Sequence, residues 1–305
     1  MIWIEGACAI VSACFATHTS DQDAGAITQD GTSAAMFEQS FEGQSPIESF
    51  HRVHRADRFS VVPDPLEESN SVVRVDVPKD EHYGGALHVD FAKLVHDGHL
   101  DAEPTRAYFR YRLYFDQSWT TPIGGKLPGF GGTYNIAGWG GKPSNGINGW
   151  SARGMFGGID NNGHIPIGSY VYHADMVEQG QKYGTGMWWG ESLKHGRWYT
   201  IEQELTLNTL NQIPETDTDD QPEHERTLTG NSDGRLRAWI DGELVFDQQG
   251  LHLRDTDELR IETIWLNIYE GGKTPAPSSM FLLMDDVYVS INRNDDHNAK
   301  SDSDL

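Results

Sequence analysis

Residues 106–115 read RAYFRYRLYF, and in this stretch Tyr108, Arg110, Arg112 and Tyr114 alternate with Ala107, Phe109, Tyr111, Leu113 and Phe115. A period of two puts the first set on one face of a strand and the apolar set on the other. The same alternation recurs at Ser71–Val77 (SVVRVDV), Ala86–Phe91 (ALHVDF), Trp198–Leu207 (WYTIEQELTL), Leu259–Ile268 (LRIETIWLNI) and Met280–Ile291 (MFLLMDDVYVSI). Leu236–Phe246 (LRAWIDGELVF) carries Asp241-Gly242 at its centre, a dipeptide that tolerates the positive φ angles of a tight hairpin. At least eight strands and no amphipathic helix predict an all-β chain: a β-jelly roll, built as a double antiparallel sheet sandwich with a concave cleft. One domain is expected over residues 36–291. It follows a signal- or lipoprotein-like segment and linker at 1–35 and precedes a disordered acidic tail at 292–305; the acidic, proline-containing stretch 209–232 reads as a mobile surface loop.

The chain carries 46 acidic and 23 basic residues among its 305, a net charge of −23. This excludes nucleic acid as a partner, since phosphate recognition needs clustered cations. Between Arg106 and His173 the sign reverses. Arg106, Arg110, Arg112, Lys126, Lys142 and Arg153 face only Asp116 and Asp160, so this window is +4 and the remainder −27. Both cysteines, Cys8 and Cys14, lie in the first 14 residues, so no disulfide framework is expected further on. The apolar run 7–16 (ACAIVSACFA) resembles a secretory signal, and Val11-Ser12-Ala13-Cys14 resembles a lipobox. A secreted or periplasmic protein, or an outer-membrane lipoprotein anchored at Cys14, is therefore expected, as a monomer.

Within the basic window, Lys126–His173 reads KLPGFGGTYNIAGWGGKPSNGINGWSARGMFGGIDNNGHIPIGSYVYH. The glycines around Lys126 are not a phosphate loop, which needs Ser or Thr after the lysine and then a helix. They are read as a loop that turns sharply beside a strand and fixes the lysine. Ser151 and Arg153 share a strand face, as do Tyr170 and Tyr172, while His173 points opposite to the tyrosines. These residue types suit β-elimination from a uronic acid. Removing the C5 proton spreads charge onto an existing carboxylate, which must be neutralised, and Arg153 and Ser151 are suited to that. A base takes the proton and an acid protonates the departing oxygen; Tyr170, Tyr172 and Lys126 are the candidates, with Lys126 and Arg153 expected to depress a tyrosine's ordinary value of about 10. The thirteen histidines form no metal-ligand motif, so no metal or other cofactor is expected.

The order Lys-Leu-Pro-Gly (126–129), Gly-Trp-Ser-Ala-Arg-Gly-Met (149–155) and Tyr-Val-Tyr-His (170–173) resembles polysaccharide lyase family 14, the alginate and glucuronan lyases. The resemblance implies a metal-independent β-jelly roll acting on an anionic polysaccharide, with Lys126, Ser151, Arg153, Tyr170 and Tyr172 at its catalytic positions. Arg110, Arg112, Trp150 and His173 are expected to contact the substrate. The competing readings are a glycoside hydrolase on a similar fold, which would need two carboxylates, and a carbohydrate-binding module without catalysis.

Overall fold

The computed structural model describes residues 34–211 and 229–293. The apolar run with Cys8 and Cys14, the interior of the acidic insertion and the terminal tail beyond 293 lie outside the described residues. With strands numbered in chain order, one sheet runs β15 (Glu243–Leu251), β14 (Gly234–Ile240), β11 (Trp198–Thr206), β6 (Arg106–Phe115), β17 (Met280–Ser290), β4 (Ser71–Val77) and β3 (Phe59–Pro63). β1 (Phe37–Gln39) adds to β17 as the eighth strand. The second sheet runs β10 (Thr185–Leu193), β9 (Ile165–Tyr172), β8 (Trp150–Gly157), β7 (Gly124–Gly132), β16 (Thr263–Glu270), β5 (Tyr83–Asp90) and β2 (Arg52–His54). Neighbours in both sheets are antiparallel. A two-stranded ribbon, β12 (Leu210–Asn211) with β13 (Thr229–Gly230), forms the stem of the insertion.

The fold is the expected all-β sandwich. The RAYFRYRLYF strand sits inside the eight-stranded sheet, and its apolar set Ala107, Phe109, Tyr111, Leu113 and Phe115 is fully buried. Phe109 meets Phe130 of the facing sheet edge to face at 5.1 Å, and Phe156 closes on Trp119 at 5.3 Å. Asp241 and Gly242, at φ 51° and 84°, make the predicted hairpin between β14 and β15. Two expectations differ. A one-and-a-half-turn helix, α1 (Phe91–His96), buries Phe91 and Leu94, and the glycine-rich segment around Lys126 is no loop. It is β7, a central strand.

Glycine in β7 is dictated by close approach. A Cβ at Gly129 would stand 2.4 Å from the Arg153 Cα, and one at Gly132 would meet the Trp150 indole nitrogen at 2.3 Å. Pro128 has no N–H for the ladder, and the strand accommodates it with a bulge: Leu127 pairs with Gly154 and Gly129 with Arg153, leaving Pro128 between. Its carbonyl accepts a hydrogen bond at 3.0 Å from Gln203 Nε2, which is fully buried and comes from β11 of the opposite sheet. The extra residue changes the parity of the strand, so Lys126 and Gly129, three apart, look out from the same face.

At the end of β16, Glu270 is fully buried; Thr121 Oγ1 donates to its Oε1 at 2.8 Å while Oε2 has no partner. Burial raises its carboxyl from 4.5 to about 7, against a smaller pull from the Thr121 hydrogen bond. The folded protein thus keeps a proton that the unfolded chain gives up near 4.5, and this group costs stability as pH rises from there to about 7. Glu270→Gln removes that cost. Urea midpoints should show the variant gaining on the wild type by roughly 2 kcal/mol between pH 5 and pH 8; an unchanged difference would show that the carboxyl is already ionised at pH 5.

Candidate functional site

The outer face of the seven-stranded sheet carries an unbroken row of paired positions. Tyr170 lies opposite Arg153, Arg153 opposite Gly129, Gly129 opposite Trp265, Trp265 opposite His88 and His88 opposite Arg52. A parallel row runs Trp188, Gly168, Met155, Lys126, Tyr269 and Tyr83. Cross-strand partners share a face. The two rows therefore bring Lys126, Arg153 and Tyr170 together, and the bulge at Pro128 places Lys126 among them.

Arg153 is 7% exposed and makes no ion pair with a carboxylate among the described residues. Its Nη1 donates to Asn267 Oδ1 at 3.1 Å, Nε has no partner, and the guanidinium lies 4.6 Å from the Trp265 ring centroid. Because Gly129 contributes no side chain, the guanidinium reaches that ring across β7. Tyr172, Tyr170, Tyr83 and Tyr269 surround it, and burial lowers it to about 10, so it remains a cation at neutral pH. Lys126 Nζ sits 3.5 Å from the Tyr170 ring centroid. Burial first, and the field of Arg153 second, lower its amine to about 7.

Tyr170 and Tyr172 meet edge to face at 5.8 Å. The Gly184 amide hydrogen-bonds the Tyr170 hydroxyl, and the Gly141 amide donates to the Tyr172 hydroxyl at 3.2 Å. The segment 133–149 thereby covers Tyr172, which is 1% exposed, whereas Tyr170 is half-buried. Burial is the largest influence on Tyr170 and raises its phenol; Arg153 opposes it without prevailing. The expected depression of this tyrosine by the neighbouring cations is therefore corrected.

Five of the expected site residues do not join this cluster. Ser151 shares the face but is fully buried, and its hydroxyl donates to the Gly138 carbonyl at 2.6 Å, holding the covering segment down. Trp150 and His173 alternate with Ser151 and Tyr172, so they face inward. Trp150 is fully buried in the core; His173 is 9% exposed, with Nε2 3.3 Å from Thr185 Oγ1 and Nδ1 near Asp175. Arg110 and Arg112 belong to β6, in the other sheet. There Arg110 lies over Tyr288 and Arg112 over Trp198, beside Asp285. Conversely Asn267, Tyr269 and Tyr83 join the site unforeseen, beside Trp265, with the Tyr83 hydroxyl bonded to Asn267. Their signal was the alternation Trp265, Asn267, Tyr269 against Ile264, Leu266, Ile268, the latter three being core. Among the described residues no cluster of His, Cys, Asp and Glu is arranged to hold a metal ion.

The sequence model for polysaccharide lyase 14 matches residues 66–216, which include Lys126, Arg153 and both tyrosines. The chain belongs to polysaccharide lyase family 14. Among solved structures, this family 14 chain superposes on the alginate lyase of Aplysia kurodai with a TM-score of 0.62 at 16% identity, covering 85% of this chain and 100% of that one. Alginate lyase Aly36B, in a variant holding an alginate tetrasaccharide, gives 0.59 at 18% identity over 84% and 93%. The endo-β-1,4-glucuronan lyase of Trichoderma reesei gives 0.54 at 11% over 85% and 96%. At these identities the likeness is one of fold. No curated protein sequence matches.

The placement of Ser151 has a direct check. Ser151→Ala strands the buried Gly138 carbonyl and should cost about 1–3 kcal/mol in a denaturant titration, with KM for a polyuronate changing less than about threefold. Full stability together with a large rise in KM would return Ser151 to the substrate.

Proposed function

We propose that this polysaccharide lyase cleaves a 1,4-linked polyuronate, an alginate or a glucuronan, by β-elimination. The observation that carries the reading is Arg153: a guanidinium nearly removed from water, without a carboxylate partner among the described residues, in a protein of net charge −23. Such a cation gains most from an anion that arrives with the ligand. The planar fork meets a uronate carboxylate and absorbs the charge that develops when the C5 proton leaves. Asn267 and Trp265 hold the guanidinium in place, and its buried Nε has no partner.

Lys126 takes the C5 proton as the free amine. The electrons of the C5–H bond form the C4=C5 double bond, the C4–O4 bond breaks, and Tyr170 protonates the departing O4. A lysine near 7 is poised as a base, and a raised phenol keeps its proton until it is needed. Tyr172, covered by the segment 133–149, supports Tyr170 through their ring contact. A hydrolase would need two carboxylates at the bond, whereas the side chains gathered around Arg153 are a lysine, tyrosines, an asparagine and a tryptophan. The positive charge at the site comes from Arg153, so EDTA should leave the rate unchanged. We also propose that it acts outside the cytoplasm, because a large polyanion does not cross a membrane and the apolar run 7–16 suits export.

Incubation with alginate and with glucuronan, followed by ultraviolet absorbance of the new double bond, tests the reading. Lys126→Ala and Arg153→Ala should each lower kcat/KM by a factor of 100 or more, in line with a lost base and a lost oxyanion-type contact. The pH profile decides the role of Lys126. As a base it acts deprotonated, so kcat/KM rises with pH through about 7; as a fixed cation it would make the rate fall across the same range.

A further inference from the structure

We infer that Trp188 is a stacking platform for a sugar residue distant from the bond being cut, an inference that rests on the polyuronate lyase reading. Trp188 and Trp189 are adjacent in β10 and divided by strand alternation. Trp189 is 5% exposed in the core, with Nε1 donating to Ser169 Oγ at 3.0 Å. Trp188 is 54% exposed and stands opposite Gly168 on the face that carries Lys126, Arg153 and Tyr170. An indole left half in water on an ordered strand is a large apolar surface that the described residues cover only in part.

The sequence around it keeps that surface flat and open. The indole leans back across β9, and a Cβ at Gly157 of β8 would stand 3.0 Å from its Cη2, with Pro166 Cβ at 3.4 Å. The missing side chain at Gly157 leaves the ring room to lie there. Gly168 and Gly186 likewise contribute no side chain, and the Met155 methyl lies across them, 2.9 and 3.2 Å from where their Cβ atoms would be. The floor from Lys126 to the indole is thus a thioether followed by an aromatic ring.

Gly157 lies one pleat repeat along β8 from Met155, the residue opposite Lys126. With about 3.4 Å per residue and about 4.8 Å between strands, the platform is roughly 10 Å from the Lys126–Arg153 cluster, about two pyranose lengths. A sugar ring offers an apolar face of axial C–H groups, and the exposed ring offers the matching flat surface. Its contribution is binding that is uniform in ground and transition states, so it acts on KM.

Steady-state rates on trimers and hexamers of mannuronate and of glucuronate test this. Trp188→Ala should raise KM for the hexamer about tenfold, leave kcat within about twofold and change the trimer much less. Trp188→Phe should restore most of the hexamer KM. Equal effects on both lengths, no effect on either, or a loss confined to kcat would overturn the platform. If the wild type forms no unsaturated product from any of these, the lyase reading fails, and calorimetric binding of the hexamers to wild type and Trp188→Ala still decides the platform: weaker binding supports it and equal binding overturns it.

Discussion

The arrangement of the outer face depends on keeping one guanidinium, that of Arg153, nearly out of water with no carboxylate of the described residues beside it. Removing a cation from water costs several kcal/mol before compensation. The compensation here is partial: one hydrogen bond to Asn267, the face of Trp265 and four phenol oxygens. Elsewhere arginines are conventionally satisfied, as in Arg52 with Asp90 and Arg235 with Asp247. The residues closest to Arg153 are those that stabilise a cation without neutralising it. A carboxylate in their place would occupy the group that we propose meets the anionic ligand.

That cation is held in a sheet whose geometry is set from the other side of the sandwich. Gln203 captures the carbonyl freed at the Pro128 bulge, and the bulge turns Lys126 outward. The lysine's position therefore rests on a hydrogen bond from β11, through the core. Gly129 completes the arrangement by having no side chain, so that strands β7 and β8 approach closely and Arg153 reaches Trp265. The motif Lys-Leu-Pro-Gly is thus a single device: a lysine, a core leucine, a bulge and a gap.

The sandwich was legible because alternation survives burial; Ser71–Val77 and Arg106–Phe115 form strands at the boundaries their patterns set. Parity also put Arg153 and Tyr170 on faces that prove to coincide. Three things were not legible. Glycine-rich β7 has the composition of a loop, because its pairing is specified by neighbours that tolerate no side chain rather than by residues of its own. Charge counted along the chain misled, since Arg106, Arg110 and Arg112 lie in the facing sheet. And parity gives a face without giving access: Ser151 shares the face of Arg153 but lies beneath the segment 133–149, whose path no local pattern reveals.

The division of acid and base work that we propose, left open between Lys126, Tyr170 and Tyr172 by residue type alone, rests on how burial acts on different groups. Loss of water disfavours whichever form is charged. For an amine that is the protonated form and for a phenol the ionised one. One environment therefore lowers Lys126 and raises Tyr170, moving both towards neutrality. A neutral amine accepts a proton and a neutral phenol donates one, so the same desolvation prepares base and acid side by side. Arg153 feels it too, but starts from so high a value that lowering to about 10 leaves it charged. A single dry patch then holds one fixed cation, an amine that loses its proton near 7 and a neutral phenol, the complement that the proposed β-elimination next to a carboxylate requires.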